Sequence, residues 1–353
     1  MTETGDKSRT KQWQRFVLAV LRFFAARLQK MPRAQAMRFG ERFGKFAFFA
    51  CRHIVKRPYR TALGNLSLTS FPSPEATPKQ RDALVQGVFI HFGKSMVDFL
   101  RGPLLTPDEL AKLVSVEGLE HLQQAQAAGK GTLIITAHFG NWEMLGRCVV
   151  AHGMPMTVVA REPEDEAFGA YVKSLRENAG FEVAYKGGSV RELLSLLKKN
   201  HAVGLLPDQN SGDLFVPFFG VPAGTVAGPA TLALHTGAAL LRCFCVRLPD
   251  DRYRLILLPP LDTRSTGDKE ADIRRIMCEV NTTLESMVRQ YPEQWLWLHH
   301  RWKSALEEPN RERAWGSDSP AQETARMRWQ KGRNNGQFPM QSSDTGGRSA
   351  DRY

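Results

Sequence analysis

Short apolar runs alternate along this chain with amphipathic stretches, and that alternation restricts it to one class of architecture. Thr132-Leu-Ile-Ile-Thr-Ala137 is a continuous apolar run of the kind that fills a parallel strand buried on both faces. Residues 156–160, 181–184, 202–206 and 240–246 repeat the type, and 253–258 adds a further strand. Segments with helical periodicity lie between most of them, at about 142–151, 166–178, 190–199 and 229–236, and 273–290 reads as a closing helix. Strand and helix in alternation predict an α/β three-layer sandwich around a mostly parallel sheet. Residues 61–115 read as further helix, broken at Pro72-Ser73-Pro74.

The first sixty residues are different in kind. They hold fifteen Lys or Arg against three acids, a net +12, which equals the formal charge of all 353 residues. A basic segment on an otherwise neutral body asks for an anionic partner. Residues 1–10 are polar and read as loose, whereas 11–30 carry Trp13, Phe16, Val20, Phe23 and Phe24 at spacings of three and four. Between 33 and 57, Arg38, Arg42, Lys45, Arg52 and Lys56 share one helical stripe and Phe39, Phe43 and Phe46 the next. Basic amphipathic helices of this pattern suit an anionic membrane surface, although a surface helix packed on the body by its Phe face fits the spacing equally. The apolar stretch 16–28 is interrupted by Arg22 and Arg27 and falls short of the roughly 20 apolar residues that a spanning helix needs. The expected organisation is therefore 1–60 as membrane-association helices, 61–305 as the globular domain, and 306–353 as a polar, disordered tail.

Five cysteines without CxxC or metal-ligand spacing read as reduced, buried thiols, and no H-E-x-x-H is present, so no metal is expected. The net charge admits nucleic acid as a partner, but there is no zinc finger, RNP block or P-loop, and the basic stripe runs beside Phe rather than solvated polar residues. Nucleic-acid binding is accordingly excluded.

The chemistry concentrates where the first buried strand ends, in His138-Phe-Gly140-Asn141-Trp-Glu143. Open α/β sheets hold ligands at the carboxyl ends of their strands. A separation of five residues turns a continuous helix through about 140°, so His138 and Glu143 meet only if a helix starts between them. Asn141 is placed to cap that helix. Glu143 would then accept a hydrogen bond from one imidazole nitrogen and leave the other as a base, with helix N-terminal amides near a developing oxyanion. Asp208 follows another buried strand, at the same sheet edge.

These residues resemble the H-x4-D/E motif of the glycerolipid acyltransferases, and HFGNWE is most similar to the late lipid A acyltransferases. Further blocks agree in order: Val159-Ala-Arg161-Glu-Pro163, Gly204-Leu-Leu-Pro-Asp208-Gln209, Val216 to Gly220 with Gly228-Pro229-Ala230, and Trp295 to Lys303. The resemblance spans about residues 16–303, and as an ordered set the blocks are specific. One departure is Ala160, where the family often has Tyr before the Arg.

The resemblance implies an O-acyltransferase at the cytoplasmic face of the inner membrane. Its donor would be an acyl thioester of acyl carrier protein or coenzyme A, with no other cofactor, and its acceptor a hydroxyl of a phosphorylated glycolipid. It implies His138 and Glu143 as the catalytic pair, Arg161 on an acceptor phosphate, and Gly140, Asn141, Asp208 and Gln209 in substrate binding, with Asp208 orienting Arg161 or a substrate hydroxyl. A phosphatidylinositol mannoside or another lysolipid would suit the same blocks as acceptor. A non-catalytic lipid-binding relative would not need both His138 and Glu143.

Overall fold

The computed structural model describes residues 3–185 and 190–307, together with Asn310 and Ala314. The tail expected to be disordered lies almost wholly outside the described residues. The chain opens with helices α1 (Glu3–Lys30), α2 (Arg33–Ala50), α3 (Arg57–Leu68), α4 (Pro78–Arg101) and α5 (Pro107–Leu113). Then follow β1 (Val114–Glu117), α6 (Leu119–Ala127), β2 (Thr132–Ile135), α7 (Trp142–Ala151), β3 (Met156–Ala160), α8 (Glu166–Asn178), β4 (Glu182–Tyr185), α9 (Val190–Lys198) and β5 (Ala202–Leu205). A hairpin of β6 (Leu214–Phe218) and β7 (Val221–Thr225) precedes α10 (Gly228–Thr236), β8 (Ala239–Arg247), β9 (Tyr253–Leu257), α11 (Lys269–Gln290) and α12 (Lys303–Leu306).

Seven strands form one sheet in the order β1-β9-β8-β2-β5-β3-β4, in which only the β8–β9 pairing is antiparallel. The parallel strands β8, β2, β5, β3 and β4 bring their carboxyl ends to one edge. Their inner members are buried on both faces: all four residues of β2 are inaccessible, with Ile134 packing towards α7 and Leu133 and Ile135 towards α10 and α11. That two-sided burial is why these strands read as continuous apolar runs rather than alternating ones.

Three features differ from the expectation. Helix α1 begins at Glu3, so residues 3–10 are helical rather than loose. β1 ends the stretch read as wholly helical, because a four-residue edge strand with one buried face carries too little pattern to be told from a helix end. The β6–β7 hairpin also escaped the alternation argument, since it stands apart from the main sheet.

The N-terminal helices dock through small residues, not through their Phe stripe. Gly40 and Gly44 of α2 meet Gly93 of α4 backbone to backbone: a methyl added at Gly44 would stand 2.5 Å from the Phe89 carbonyl oxygen, and one at Gly93 2.4 Å from that of Gly40. Ala36, Met37 and Phe48 complete the buried face. Phe39, Phe43, Phe46 and Phe49 are exposed instead, as are Trp13, Phe16, Phe23 and Phe24 of α1. No described helix is long and apolar enough to cross a membrane. A Gly44→Val substitution is expected to cost about 1–3 kcal/mol of unfolding free energy by overpacking this contact, read as a lower urea midpoint at unchanged slope.

Candidate active site

Three adjacent parallel strands deliver the site. His138 lies just beyond β2, Asp208 just beyond β5, and Arg161 directly after β3. Between His138 and α7 the chain turns through Gly140, whose φ of +60° is a left-handed conformation that a side chain disfavours. A Cβ there would also sit 2.2 Å from the Cys245 carbonyl oxygen. Asn141 caps α7 as anticipated, its side-chain oxygen accepting from the Met144 N–H at 3.0 Å. The turn is pinned from behind by Asn141 N–H to Cys245 O (2.7 Å), Gly140 N–H to Gln294 O (2.9 Å) and His91 Nε2 to Gly140 O (2.9 Å). Burial pushes the His91 imidazole down to about 3, so it is neutral and donates its proton to that carbonyl.

The partner of His138 is Asp208. Its carboxylate, 3% exposed, accepts from His138 Nδ1 at 2.9 Å through Oδ1, and from the His138 backbone N–H (2.9 Å) and Trp295 Nε1 (3.1 Å) through Oδ2. A carboxylate only accepts, so Nδ1 carries the proton and Nε2 is left with its lone pair. Gln209 Nε2 lies 3.4 Å from that nitrogen.

The hydrogen bond expected from His138 to Glu143 is not made. Glu143 is held by Arg176 of α8, with contacts of 2.6, 3.0 and 3.2 Å, and accepts from Trp142 Nε1 at 3.0 Å. The reason is geometric: the β5 loop places a carboxylate beside Nδ1, and a long Arg on α8 reaches the one at the helix start. Glu143 nevertheless acts on the ring through its charge.

Burial alone would depress the His138 imidazole. The Asp208 charge and hydrogen bond, with the Glu143 charge, outweigh it, and the net shift is upward from the ordinary 6.5. Asp208 moves the opposite way: burial would raise its carboxyl, but the His138 imidazolium and three hydrogen bonds hold it below the usual carboxylate range.

Behind Asp208 stands an aromatic wall of Phe218, Trp295, Trp297 and Trp302, all buried. Within it Arg301 is fully buried, donating to the Gly224 carbonyl, to Thr225 Oγ1 (2.7 Å) and, at the limit of bonding, to the Gln209 carbonyl (3.5 Å). It thereby ties the Asp208–Gln209 turn to the hairpin.

In front of His138 opens a cavity of about 820 Å³. His138, Trp142, Glu143, Arg161, Arg176, Gln209 and Asn210 line its polar part, and Leu145, Met156, Val158, Phe181, Gly204, Leu205 and Leu232 its apolar part. Arg161 is exposed there and pairs with no carboxylate among the described residues, Asp208 included. Gly140 and Asn141 do not reach the cavity. Asn141 is buried, and its amide nitrogen donates to the Tyr253 hydroxyl (2.9 Å), which in turn donates to Asp98. Both residues build the turn that presents the site.

Arg176, Trp295 and Arg301 went unassigned at the level of sequence. For Trp295 and Arg301 the signal was the Trp295 to Lys303 block, a run of Trp, His and Arg at the end of the globular domain; Arg176 had none.

A half-buried His locked by a buried carboxylate at the carboxyl edge of a parallel sheet, facing a largely apolar cavity, has the makings of a site for transfer chemistry. Comparison with known proteins places the chain. The sequence profile of the bacterial lipid A biosynthesis acyltransferases matches residues 5–304, and the protein belongs to that family. It is 28% identical over 270 residues to the lipid A biosynthesis palmitoleoyltransferase of Escherichia coli (strain K12), covering 75% of this chain and 84% of that one. It is also 28% identical over 285 residues to the lauroyltransferase of the same strain (79% and 88% covered). The phosphatidylinositol mannoside acyltransferase of Mycolicibacterium smegmatis is 28% identical over 292 residues (81% and 91%). The protein is an O-acyltransferase.

Because its folded-state pKa is raised, protonated His138 contributes stability that is fully present below about 6.5, the usual histidine value, and is lost as pH rises through the folded value. NMR titration of His138 should give a midpoint above 6.5. Asp208→Asn removes the raising charge, and the midpoint should fall below that of the wild type.

Proposed function

We propose that this enzyme transfers a fatty acyl chain from an acyl thioester, on acyl carrier protein or coenzyme A, to a hydroxyl of a phosphorylated lipid A precursor. The observation that carries the proposal is the His138 imidazole, with Nδ1 committed to Asp208 and Nε2 available at a cavity lined largely by hydrocarbon side chains. Nε2 takes the proton of the acceptor hydroxyl as its oxygen attacks the thioester carbonyl. The tetrahedral intermediate then collapses, the thiolate leaves, and the imidazolium returns the proton to it. Asp208 fixes the tautomer and stabilises the imidazolium between the two steps.

Glu143 adds a second negative charge near the ring and, through Arg176, fastens α7 to α8. The His/Glu pair thus works through field and placement rather than through a direct hydrogen bond. No enzyme nucleophile is required. Cys148 in α7 is buried, with a thiol pushed up to about 12 by desolvation. The mechanism as written asks for no cofactor beyond the donor.

Arg161, exposed at the polar end of the cavity, is suited to a phosphate of the acceptor. The exposed aromatic faces of α1 and α2, set beside Arg and Lys, suit the anionic cytoplasmic face of the inner membrane, where such an acceptor resides. The relatives named for phosphatidylinositol mannoside support a second reading, in which that glycolipid is the acceptor and the chemistry is unchanged.

The test offers labelled acyl donors with either acceptor to the detergent-purified protein. Transfer to the lipid A precursor is expected. Transfer only to the mannoside would exchange the acceptor, and transfer to neither would overturn the proposal. His138→Ala should lower kcat by about a hundred- to ten-thousand-fold, the usual contribution of a positioned base, and Glu143→Ala should also abolish most transfer. Arg161→Ala should act chiefly on the apparent KM for acceptor; an unchanged KM would remove Arg161 from that role.

A further inference from the structure

Gly204 occupies the middle of β5, in the centre of the sheet, where a strand ordinarily carries a β-branched side chain. A glycine inside a central strand marks close approach by something else. Its register partners are Ile134 of β2 and Val158 of β3, and it faces the α7 side, within the cavity wall. What approaches it is Met156: a methyl added at Gly204 would stand 2.5 Å from Met156 Cε and 3.2 Å from Val158 Cγ1. Met156 enters two register steps lower, level with Thr132 and Ala202 at the start of the strands, and its thioether tip rises into the space that Gly204 leaves.

The depth matters. The Met156 tip lies at the Gly204 level, whose register partner Ile134 is four residues before His138, so the path from the imidazole to that tip runs at most about 13 Å at the rise of an extended chain. Leu145 and Phe181 line the same side of the cavity, so its lower part is hydrocarbon on every named wall. Met is the side chain best able to yield or fill as an occupant varies, being unbranched and flexible.

We infer that Gly204 and Met156 together form the stop that sets the length of the donor acyl chain the enzyme accepts: the missing side chain admits the Met156 tip, and that tip closes the lower end of the slot beneath the base. This rests on the acyl-transfer reading above and goes beyond it by naming the specificity-determining pair. A substitution that fills the slot shortens the preferred chain, and one that removes the stop lengthens it.

The experiment measures kcat/KM for saturated acyl carrier protein thioesters graded in two-carbon steps from decanoyl to stearoyl, on wild type, Gly204→Leu and Met156→Ala. Ratios between donors on one preparation do not depend on the fraction of protein that folded. Each methylene that loses its berth should cost roughly four-fold, the equivalent of about 0.8 kcal/mol. The profile should therefore fall about fifteen-fold per two-carbon step beyond the new optimum, with the optimum shorter in Gly204→Leu and longer in Met156→Ala.

Displacement of a fluorescent fatty acid by free fatty acids of the same lengths reads the slot without any transfer. Length profiles unchanged by both substitutions, in transfer and in displacement, would overturn the inference while leaving the function intact. Profiles that shift in displacement, from a wild type that transfers nothing, would sustain the pair and overturn the function instead.

Discussion

A buried carboxylate is the constraint on which the site depends. Asp208 is 3% exposed, and an ionised group so far from water is tolerated only where hydrogen bonds and an opposite charge replace its hydration. The His138 amide, the His138 ring and the Trp295 indole supply that replacement, and each of these donors is thereby fixed in turn. The ring is fixed in one tautomer, the β2–α7 turn in one path, and the closing segment against both. Leu296 N–H on the His138 carbonyl (3.0 Å) and Gln294 O on the Gly140 amide extend the same lacing.

The architecture around that carboxylate divides its labour by face and by edge. The carboxyl edge of the parallel strands gathers His138, Arg161 and Asp208 from β2, β3 and β5, which no local stretch of chain could bring together. On the far side the aromatic wall and Arg301 hold the Asp208–Gln209 turn against the β6–β7 hairpin. In front, the cavity opens among the strand ends and the flanking helices, lined by His138, Arg161 and Gln209 together with apolar side chains such as Leu145, Met156 and Phe181. The N-terminal helices stand apart from this work. Gly40 and Gly44 admit the α4 backbone, and most of the aromatic residues of α1 and α2, Phe48 excepted, stay outward.

Much of the frame was legible residue by residue. Helix α7 runs over Trp142–Ala151 and α8 over Glu166–Asn178, the spans that their periodicity announces; Asn141, read as a cap from the sequence, and Asp165, seen only in the structure, supply their N-caps. Strand β3 is as its apolar run reads. β1 and the β6–β7 hairpin were not legible, since short strands that pair only with distant segments carry little local signal. The Phe stripe of α2 was ambiguous for a related reason: periodicity says that a helix has two faces, not which one the body takes. The glycines at 40 and 44 decide that, by admitting the α4 backbone.

The sequence by itself determined the alternation of strand and helix, the start of α7 after Asn141, and the presence of a His, an Arg and an Asp at strand ends with a Glu in the first turn of α7. Those follow from interactions within a few residues, where periodicity, capping and turn chemistry act. Only the tertiary structure decided which carboxylate holds His138, which Arg holds Glu143, and that Asn141 is spent on the fold. Those pairings join residues 33 and 70 positions apart, and in three dimensions they are set by strand order and by the reach of each side chain, neither of which is written in local spacing.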